Sequence, residues 1–409
     1  MRYIEISFPP THIQEKIMKK FRFLAFFLTL AVLFCAAGTE AQVAKNTIVR
    51  DSYANSQFTF ESTGKGRVAF LGGSITEMDG YRPMVCEYLQ KKFPNTEFDF
   101  IAAGIASTCS DTGAFRLESD VLSRGPVDLF FLEFAVNDDQ DGKFSVEHSI
   151  RGFEGIVRHI RTACPNVDIV VTFFVNENLM AKYRQGDAAL SIQAHSLVAE
   201  KYGLTVIDLA KEIQEQIDAK QITWREFGGV HPAARGNRIC ANMIESVLNE
   251  AWKTKADGLK PHALPEQIDE YSYADARFRS FDGVALNGFT RSIPDWKSIR
   301  GGFRKNFGGQ EFLHAQEPGA SCTFDFEGRA VSLFVLAGPD SGVVEFSIDG
   351  GDFQKTQVRH SYSTGLHYPR TVVIADELAP GKHTVTLRIP ADGNSGQNAL
   401  RIYKIGIAK

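Results

Sequence analysis

The chain has 409 residues, which is long for a single domain and favours two domains that each bury a hydrophobic core. With 44% hydrophobic and 23% charged residues, the composition is that of a globular protein. Because nucleic-acid-binding proteins usually concentrate basic residues on one face, the formal net charge of -4 with mixed signs argues against nucleic acid as a partner.

The first 41 residues have the pattern of a targeting segment that begins with an upstream extension. Lys19, Lys20 and Arg22 precede the apolar run 23–37, and small residues follow it, as in a cleavable signal peptide. The apolar run is shorter than the roughly 20 residues of a spanning helix, so no stable membrane anchor is expected. We therefore expect a secreted or periplasmic protein.

Five cysteines remain beyond the targeting segment. Their number is odd and none forms a Cys-x-x-Cys pair, so neither a disulfide framework nor a cysteine metal site is predicted, while one or two bridges stay open. These cysteines are Cys86, Cys109, Cys164, Cys240 and Cys322.

Short apolar runs alternate with helical periodicity in the region 42–262, which predicts a parallel α/β sheet covered by helices. The predicted strands are Val68–Leu71, Phe98–Ala102, Val127–Phe134, Ile169–Phe174 and Thr205–Ile207. The predicted helices begin near Tyr81 or span 115–122, 145–163, 188–202 and 233–252.

The pattern of hydrophobic residues changes after a linker at 258–267, which contains Pro261 and Pro265. Alternating apolar and polar residues then replace helical periodicity, and Asp349-Gly350 is a hairpin signal. Residues 270–409 are therefore predicted to form an antiparallel β-sandwich.

The first predicted strand runs directly into Gly72-Gly73-Ser74. Glycines let the backbone turn sharply at a strand end, and ligands of open α/β sheets bind at the carboxyl ends of the strands. Ser74 is therefore a candidate nucleophile, although Gly-Gly-Ser alone is also an ordinary turn.

Three further segments follow predicted strands or lie in a glycine-rich loop at the same sheet edge. They contribute a glycine amide at Gly104, a side-chain amide at Asn137 and a histidine before the last helix at His231. Ester hydrolysis needs a hydroxyl nucleophile, a base and donors to the oxyanion, and these residues with Ser74 supply all three.

The order Gly-Gly-Ser, Gly, Val-Asn-Asp, Val-His-Pro resembles the four blocks of the SGNH hydrolases, also called GDSL esterases. The resemblance covers about residues 66–254 and implies a flavodoxin-like three-layer α/β/α domain. It implies that Ser74 is the nucleophile and His231 the base. The oxyanion hole would be formed by the backbone N–H of Ser74 together with Gly104 and Asn137.

Two positions depart from the family pattern. Gly73 replaces an acidic residue, a variation shared by esterases that act on sugars. Gly228 occupies the place of the triad acid, three residues before His231. We therefore expect either a Ser–His dyad, with His231 Nδ1 donating to a backbone carbonyl, or a displaced acid from Glu226 or Asp138.

The function predicted from this resemblance is a secreted serine esterase that hydrolyses acyl esters, chiefly O-acetyl esters, on carbohydrate. No cofactor or metal is expected, and the candidate substrate contacts are Glu77, Tyr81, Arg82 and His367. The alternatives are a lipase, lysophospholipase or thioesterase of the same family, and a non-catalytic glycan-binding protein on a decayed scaffold.

Overall fold

A six-stranded sheet forms the centre of the first domain. The computed structural model describes residues 45–392 and 397–409, so the predicted targeting segment lies outside the described residues. The strands are β1 (Thr47–Ile48), β2 (Lys65–Gly72), β3 (Glu97–Gly104), β4 (Leu129–Leu132), β5 (Asp168–Thr172) and β6 (Thr205–Ile207). Their spatial order is β3-β2-β4-β5-β6-β1, parallel except for the antiparallel edge strand β1.

This order confirms the predicted flavodoxin-like sheet, with one additional strand at its edge. The strand order reverses direction between β2 and β4, and sheets of this type bind ligands beyond the carboxyl ends of the strands at that point. The residues that follow β2 and β4 are Ser74 and Asn137, so the topology brings two of the predicted site residues to the ligand-binding position.

Helices pack against the sheet in two layers, and the longer ones α6 and α11 present an apolar stripe to it. Ser145 caps the helix predicted over 145–163 by accepting the backbone N–H of His148 at 3.2 Å. The helices are α1 (Ala54–Thr63), α2 (Ser74–Glu77), α3 (Tyr81–Lys92), α4 (Ser110–Asp120), α5 (Ala135–Asn137), α6 (Val146–Ala163), α7 (Glu177–Arg184), α8 (Leu190–Lys201), α9 (Leu209–Asp218), α10 (Trp224–Phe227) and α11 (Ala234–Ala251). One layer contains α4, α6 and α8 side by side, and another contains α3 and α11. Among the described residues, no helix is both long and apolar enough to cross a bilayer.

Two antiparallel sheets form the second domain, as the alternating pattern predicted. Their strands are β7 (Arg277–Arg279), β8 (Ala285–Asn287), β9 (Thr290–Ser292), β10 (Phe312–Ala315), β11 (Ser321–Gly328), β12 (Ala330–Ala337), β13 (Val343–Ile348), β14 (Gln354–Gln357), β15 (Tyr368–Ala375), β16 (Gly381–Arg388) and β17 (Leu400–Ala408). One sheet has the order β15-β12-β17-β10-β9, with β7 also on β17, and the other has β14-β13-β16-β11-β8. The predicted hairpin joins β13 to β14, where Asp349 and Gly350 both have positive φ, as such a turn requires.

Strand β12 shows how this domain contacts the first. In β11 buried and more exposed residues alternate, whereas every residue of β12 is buried, so both of its faces are covered. One face packs inside the sandwich, and on the other Phe334 stacks on Phe278, which in turn stacks on Phe115 of α4. The two domains therefore share an apolar interface.

A cluster of charges lies at the same interface. Arg151 of α6 donates to Asp269 and Asp376, each at 2.7 Å, and also to Glu377. These carboxylates come from the segment after the linker and from the second domain, so a single guanidinium ties both to α6.

Candidate active site

The nucleophile turn is built where β2 meets α2. Gly72 pairs in register with Gly104 of β3, and Ser74 follows two residues later as the first residue of α2. A Cβ at Gly104 would lie 2.2 Å from the backbone nitrogen of Glu77. Only glycine therefore allows β3 to approach the turn this closely, which explains the residue type at this position.

His231 meets Ser74 across this edge of the sheet. Its Nε2 lies 2.8 Å from Ser74 Oγ, and the histidine is in the loop between α10 and α11. Ser74 is partly exposed and His231 is exposed, so the pair is open to a ligand. A hydroxyl hydrogen-bonded to an imidazole is the pairing that activates a serine for attack on an ester.

Asn137 lies on the other side of the nucleophile turn. It ends α5 just beyond β4 and is 3% exposed. A Cβ at Gly73 would lie 2.2 Å from Asn137 Oδ1 and 3.0 Å from Nδ2, so the amide packs directly against the backbone before Ser74. The structure thus brings Ser74, His231, Gly104 and Asn137 to one place.

Neither predicted displaced acid contacts His231. Glu226 caps α10, accepting the backbone N–H and the hydroxyl of Thr223 at 2.8 and 2.9 Å, and pairs with Arg235. The backbone N–H of Thr223 is the main cause of the lowered pKa of Glu226. Its carboxylate is therefore committed to the helix start, which corrects the prediction for this residue.

Asp138 is fully buried and acts elsewhere. It accepts the backbone N–H and the hydroxyl of Ser110 at 2.8 and 2.6 Å, and it lies 3.0 Å from His195 Nε2. These contacts join α4 and α8 to the turn after Asn137. The prediction that Asp138 supports His231 is corrected for the same reason, since both carboxylate oxygens are already engaged.

The loop before His231 leaves no room for a side chain at the usual position of the acid. Gly228 has φ +111°, and a Cβ there would lie 2.0 Å from the backbone nitrogen of Ala233. Among the described residues, His231 Nδ1 has no hydrogen-bond partner, so the predicted backbone carbonyl is absent from this position as well. The ring is exposed, and the hydrogen bond from its Nε2 to Ser74 is the one that the described residues give it.

Glu133 supports the nucleophile turn from below. This residue ends the strand region before α5, and its Oε1 accepts the backbone N–H of Gly73 at 2.8 Å and the hydroxyl of Thr76 at 2.7 Å. The side chain is buried, and burial raises the pKa of Glu133 to about 7. Sequence reasoning missed this residue, although a lone carboxylate within the apolar run 127–136 was a signal for it.

Arg116 is a second buried charge beneath the site. Its guanidinium donates to the carbonyl oxygens of Ala103 at 2.6 Å and Gly72 at 2.9 Å, and pairs with Asp120 at 3.1 Å. The two carbonyls belong to β3 and β2, one residue before Gly104 and two before Ser74. Arg116 therefore fixes the two strand ends relative to each other.

The predicted substrate contacts near the nucleophile separate into two kinds. Glu77 and Arg82 are partly exposed, and Arg82 donates to the Thr76 carbonyl at 3.2 Å and to Asp79 at 2.8 Å. Tyr81 is 2% exposed, and its hydroxyl lies 3.0 Å from Thr76 Oγ1. Tyr81 therefore packs beneath the turn, and only Glu77 and Arg82 remain accessible to a ligand.

His367 is also buried, within the second domain. Its Nε2 lies 3.1 Å from the Arg300 carbonyl, and its ring packs edge-on against Trp296 at 5.2 Å. A side chain enclosed in this way is not available to substrate, so the prediction for His367 is corrected. The second domain instead approaches the turn through Asn306, whose amide donates to Glu77 at 3.3 Å.

One group among the described residues has the composition of a metal site, namely Asp51, Asp168 and His262. The two nitrogens of the imidazole face different carboxylates, Nε2 at 2.9 Å from Asp168 and Nδ1 at 3.7 Å from Asp51. The imidazole thus bridges the two carboxylates. It lies at the amino end of β5, opposite the edge that carries Ser74, and fastens the linker to the sheet.

All five cysteines beyond the predicted targeting segment are free thiols in the described structure, so no disulfide bridge forms among them. Burial raises the pKa of Cys322 to about 12 and that of Cys86 to about 11, and raises the pKa values of Cys109 and Cys240 well above their usual range. Thiols in such surroundings stay protonated and unreactive, so none is a candidate nucleophile.

Comparison with known proteins identifies a matching family and similar folds. Residues 70–239 match the model of the GDSL-like Lipase/Acylhydrolase family, which confirms the resemblance stated above. No curated protein sequence matches the chain. Among solved structures, the chain is similar to a two-domain esterase (CEX) active on acetylated mannans, also crystallised with mannopentaose, with 22% identity and a TM-score of 0.72 over 88% of this chain and 96% of that one. This likeness shows the shared two-domain fold.

Two acetylxylan esterases cover less than half of this chain. A catalytic mutant of Axe2 from Geobacillus stearothermophilus shares 18% identity over 46% of this chain and 95% of that one, with a TM-score of 0.38. The acetyl xylan esterase AlAXEase shares 20% identity over 44% and 99%, with a TM-score of 0.37. Similarity at this level carries no argument about the site.

Proposed function

We propose, on the premise that residues 70–239 form a GDSL-like lipase/acylhydrolase domain, that this chain is a serine esterase that removes O-acetyl groups from carbohydrate. The observation that carries the proposal is the 2.8 Å contact between Ser74 Oγ and His231 Nε2. With Gly104 and Asn137 beside the same turn, a nucleophile, a base and oxyanion donors meet at the ligand-binding edge of the sheet.

The first half of the reaction forms an acyl-enzyme. Ser74 Oγ attacks the ester carbonyl while His231 Nε2 takes the hydroxyl proton, and the carbonyl oxygen becomes an oxyanion. The backbone N–H groups of Ser74 and Gly104 and one N–H of Asn137 stabilise that charge. His231 then gives its proton to the departing sugar oxygen, which leaves as a hydroxyl.

The second half returns the enzyme to its starting state. Water enters the vacated side, His231 takes its proton, and the resulting hydroxide attacks the acyl carbon on Ser74. The same donors hold the second oxyanion, and acetate leaves when the proton passes from His231 back to Ser74 Oγ. Because no carboxylate assists His231, the imidazolium is stabilised less than in a triad, and the oxyanion donors carry more of the catalysis.

The carbohydrate substrate is inferred from the structural neighbours. The two-domain esterase that shares the fold over 88% of this chain acts on acetylated mannans, so an acetylated polysaccharide is the substrate class to test first. We also propose that the protein is exported, which follows from the targeting pattern in residues 1–41. The buried, protonated thiols described above are compatible with an oxidising compartment.

Acetate release from a panel of defined acetylated polysaccharides, with p-nitrophenyl acetate as a small ester, tests the proposal. We expect turnover of the small ester and of at least one acetylated glycan by wild type, and none by Ser74→Ala. If wild type and Ser74→Ala were equally inert on every acetylated substrate, the esterase proposal would fail and glycan binding on an inactive scaffold would replace it.

A further inference from the structure

Asp141 lies directly behind the oxyanion amide. Asn137 Nδ2 donates to Asp141 Oδ2 at 2.7 Å, and the two residues are 3% and 9% exposed. A primary amide carries two N–H donors, and among the described residues Nδ2 has no other acceptor. The hydrogen bond to Asp141 therefore uses one donor and leaves the second for a substrate oxyanion.

The amide of Asn137 is held on both sides. Gly73 presses against its Oδ1 side, where an added Cβ would lie only 2.2 Å away, and Asp141 takes the Nδ2 side. The main chain is fixed as well, because Cys109 Sγ donates to the Asn137 carbonyl at 3.4 Å. With both faces of the amide in contact, rotation about its χ2 angle requires one of these neighbours to move.

Asp141 is in turn fixed by the second domain. It lies in the π-helical turn Asp138–Gly142, and His360 Nε2 lies 2.9 Å from its backbone carbonyl. The other ring nitrogen of His360 accepts the backbone N–H of Tyr362 at 3.3 Å, so Nε2 carries the proton and donates to Asp141. Burial lowers the pKa of His360, which keeps the ring in this neutral form.

A small interdomain cavity lies beside this contact. Its volume of about 20 Å³ is enough for roughly one water molecule, and it is lined from the first domain by Cys109 and Asp141 and from the second by His360 and Tyr368. Two domains thus close over the back of the oxyanion amide, and the region contacts no part of the Ser74–His231 pair.

We propose that Asp141 is a positioning residue that orients the Asn137 amide for oxyanion binding, and that His360 of the second domain steadies Asp141. The inference rests on the proposed esterase function and extends it, because it assigns the second domain a part in catalysis of any ester, however small. The group that acts is the carboxylate acceptor, which touches Asn137 and not the substrate.

The first test compares Asp141→Ala with Asp139→Ala on p-nitrophenyl acetate. Asp139 belongs to the same turn but accepts from Asn176 and Asn178, so it is a matched control. Loss of a full oxyanion donor costs about 100-fold to 1,000-fold in kcat, so disorienting that donor should cost Asp141→Ala roughly tenfold to 100-fold, with KM nearly unchanged. Asp139→Ala should stay within about twofold of wild type.

Combination with Asn137→Ala separates positioning from general damage. If Asp141 acts through Asn137, adding Asp141→Ala to Asn137→Ala should change kcat by less than about twofold, because the amide to be oriented is gone. An equal loss in both backgrounds would overturn the proposal. Asp141→Asn keeps an acceptor oxygen and should recover most of the lost kcat, whereas His360→Ala should lower kcat by only about threefold, since it removes one support of Asp141.

A measurement on the wild-type protein does not depend on catalysis or on the folding of Asp141→Ala. In a ¹⁵N-labelled sample, the side-chain amide of Asn137 is identified by its disappearance in Asn137→Ala, and hydrogen exchange of its two protons is measured. We expect at least tenfold slower exchange for the proton bonded to Asp141 than for an exposed asparagine amide. Exchange of both protons at the exposed rate would overturn the inference, whereas protection without ester turnover would refute only the proposed function.

Discussion

The two sides of the active site are built very differently. On the base side, His231 is exposed, its Nδ1 has no partner among the described residues, and Gly228 leaves no space for an acid. On the oxyanion side, Asn137 is buried and touches Gly73 and Asp141. Within the described residues, His231 has a hydrogen bond to Ser74 alone, whereas Asn137 is hydrogen-bonded to Asp141, which the second domain contacts through His360.

This difference indicates where the catalytic stabilisation is concentrated. Fixed donors in a water-excluded site need no reorganisation when charge develops, whereas an exposed base depends on solvent to stabilise its charged form. We therefore expect changes on the oxyanion side to cost more than changes around His231, apart from loss of the nucleophile itself.

The largest effect is expected for Ser74→Ala, because both the base and the oxyanion donors act on the reaction of the Ser74 hydroxyl. Removal of the hydroxyl abolishes acyl transfer, and kcat on p-nitrophenyl acetate should fall by at least about a thousandfold. The melting temperature should stay nearly unchanged, since Ser74 Oγ contacts only His231 among the described residues. Substantial turnover in a contamination-free preparation would remove Ser74 as the nucleophile.

Asn137→Ala tests the enclosed side directly. Loss of one oxyanion donor is worth roughly 2.7–4 kcal/mol of transition-state stabilisation, so kcat should fall by about 100-fold to 1,000-fold while KM changes little. Steady-state kinetics on a small ester measures this. A loss confined to KM would show that Asn137 binds substrate and would break the contrast between the two sides.

Glu133→Gln tests the buried support of the nucleophile turn through pH. The carboxyl of Glu133 has an ordinary pKa of 4.5 and a folded pKa of about 7, so the folded state keeps a proton that the unfolded chain releases. Its contribution to stability is complete below pH 4.5 and is lost as the pH rises through 7. At roughly 1.4 kcal/mol per pKa unit the loss reaches about 3 kcal/mol, and the glutamine variant cannot undergo it.

Urea unfolding of both proteins between pH 4.5 and 8 is the measurement. The free energy of unfolding of wild type should fall relative to that of Glu133→Gln across this window. Parallel pH profiles for the two proteins would mean that Glu133 ionises in the folded state much as it does in the unfolded chain.

Gly73→Ala probes the contact between the turn and the amide. The backbone of Gly73 has φ −86° and ψ −143°, a ψ outside the regions that alanine usually adopts, and an added Cβ would also lie 2.2 Å from Asn137 Oδ1. We expect kcat to fall by about tenfold to 100-fold as the amide is displaced. Gly309→Ala, where an added Cβ meets nothing within 4 Å, is the control and should behave as wild type.

Glu226→Ala should have the smallest effect on rate. Its carboxylate completes the capping box of α10 and has no hydrogen bond to His231, so kcat should stay within about twofold of wild type, while the melting temperature should fall slightly. Thr223→Ala breaks the same capping box and should shift the melting temperature by a similar amount. A thousandfold drop in kcat for the folded Glu226→Ala variant would instead identify a displaced acid.

Much of the fold could be predicted from the sequence because central strands such as β4 and β5 are buried on both faces and read as apolar runs, whereas strands such as β11 alternate. Thr205–Ile207 matches the predicted bounds, and the predicted helix beginning at Ser145 begins one residue later, after its cap. Helix α1 was missed because its residues Ala54–Thr63 are mostly polar and only Phe60 anchors it in the core. Short edge strands such as β8, whose three residues are exposed, carry no alternation to detect.

The site was predictable where chemistry follows directly from a strand end, as for Ser74 and Asn137. The features that were not predicted arise from contacts between residues that lie far apart in the sequence, where no motif links them. The contact between His360 and Asp141 joins residues 219 positions apart, and the burial that raises the pKa of Glu133 is a property of the finished core. Conversely, His367 looked like a loop residue by its neighbours Gly365 and Pro369, yet the sandwich encloses it.

The pairing of β7 with β17 bears on how the chain emerges from the ribosome. Arg279 pairs with Ile405, which is synthesised much later, so the sheet of the second domain cannot be completed until the last strand has been made. Throughout that interval Phe278 of β7, which stacks on Phe115 of α4, lacks its partner strand, so apolar surface beside α4 stays accessible to chaperones. A nascent chain that stalls before β17 is therefore a client for quality control, and slow translation of the final hundred or so codons should lower the yield of soluble protein more than slow translation of the first domain does.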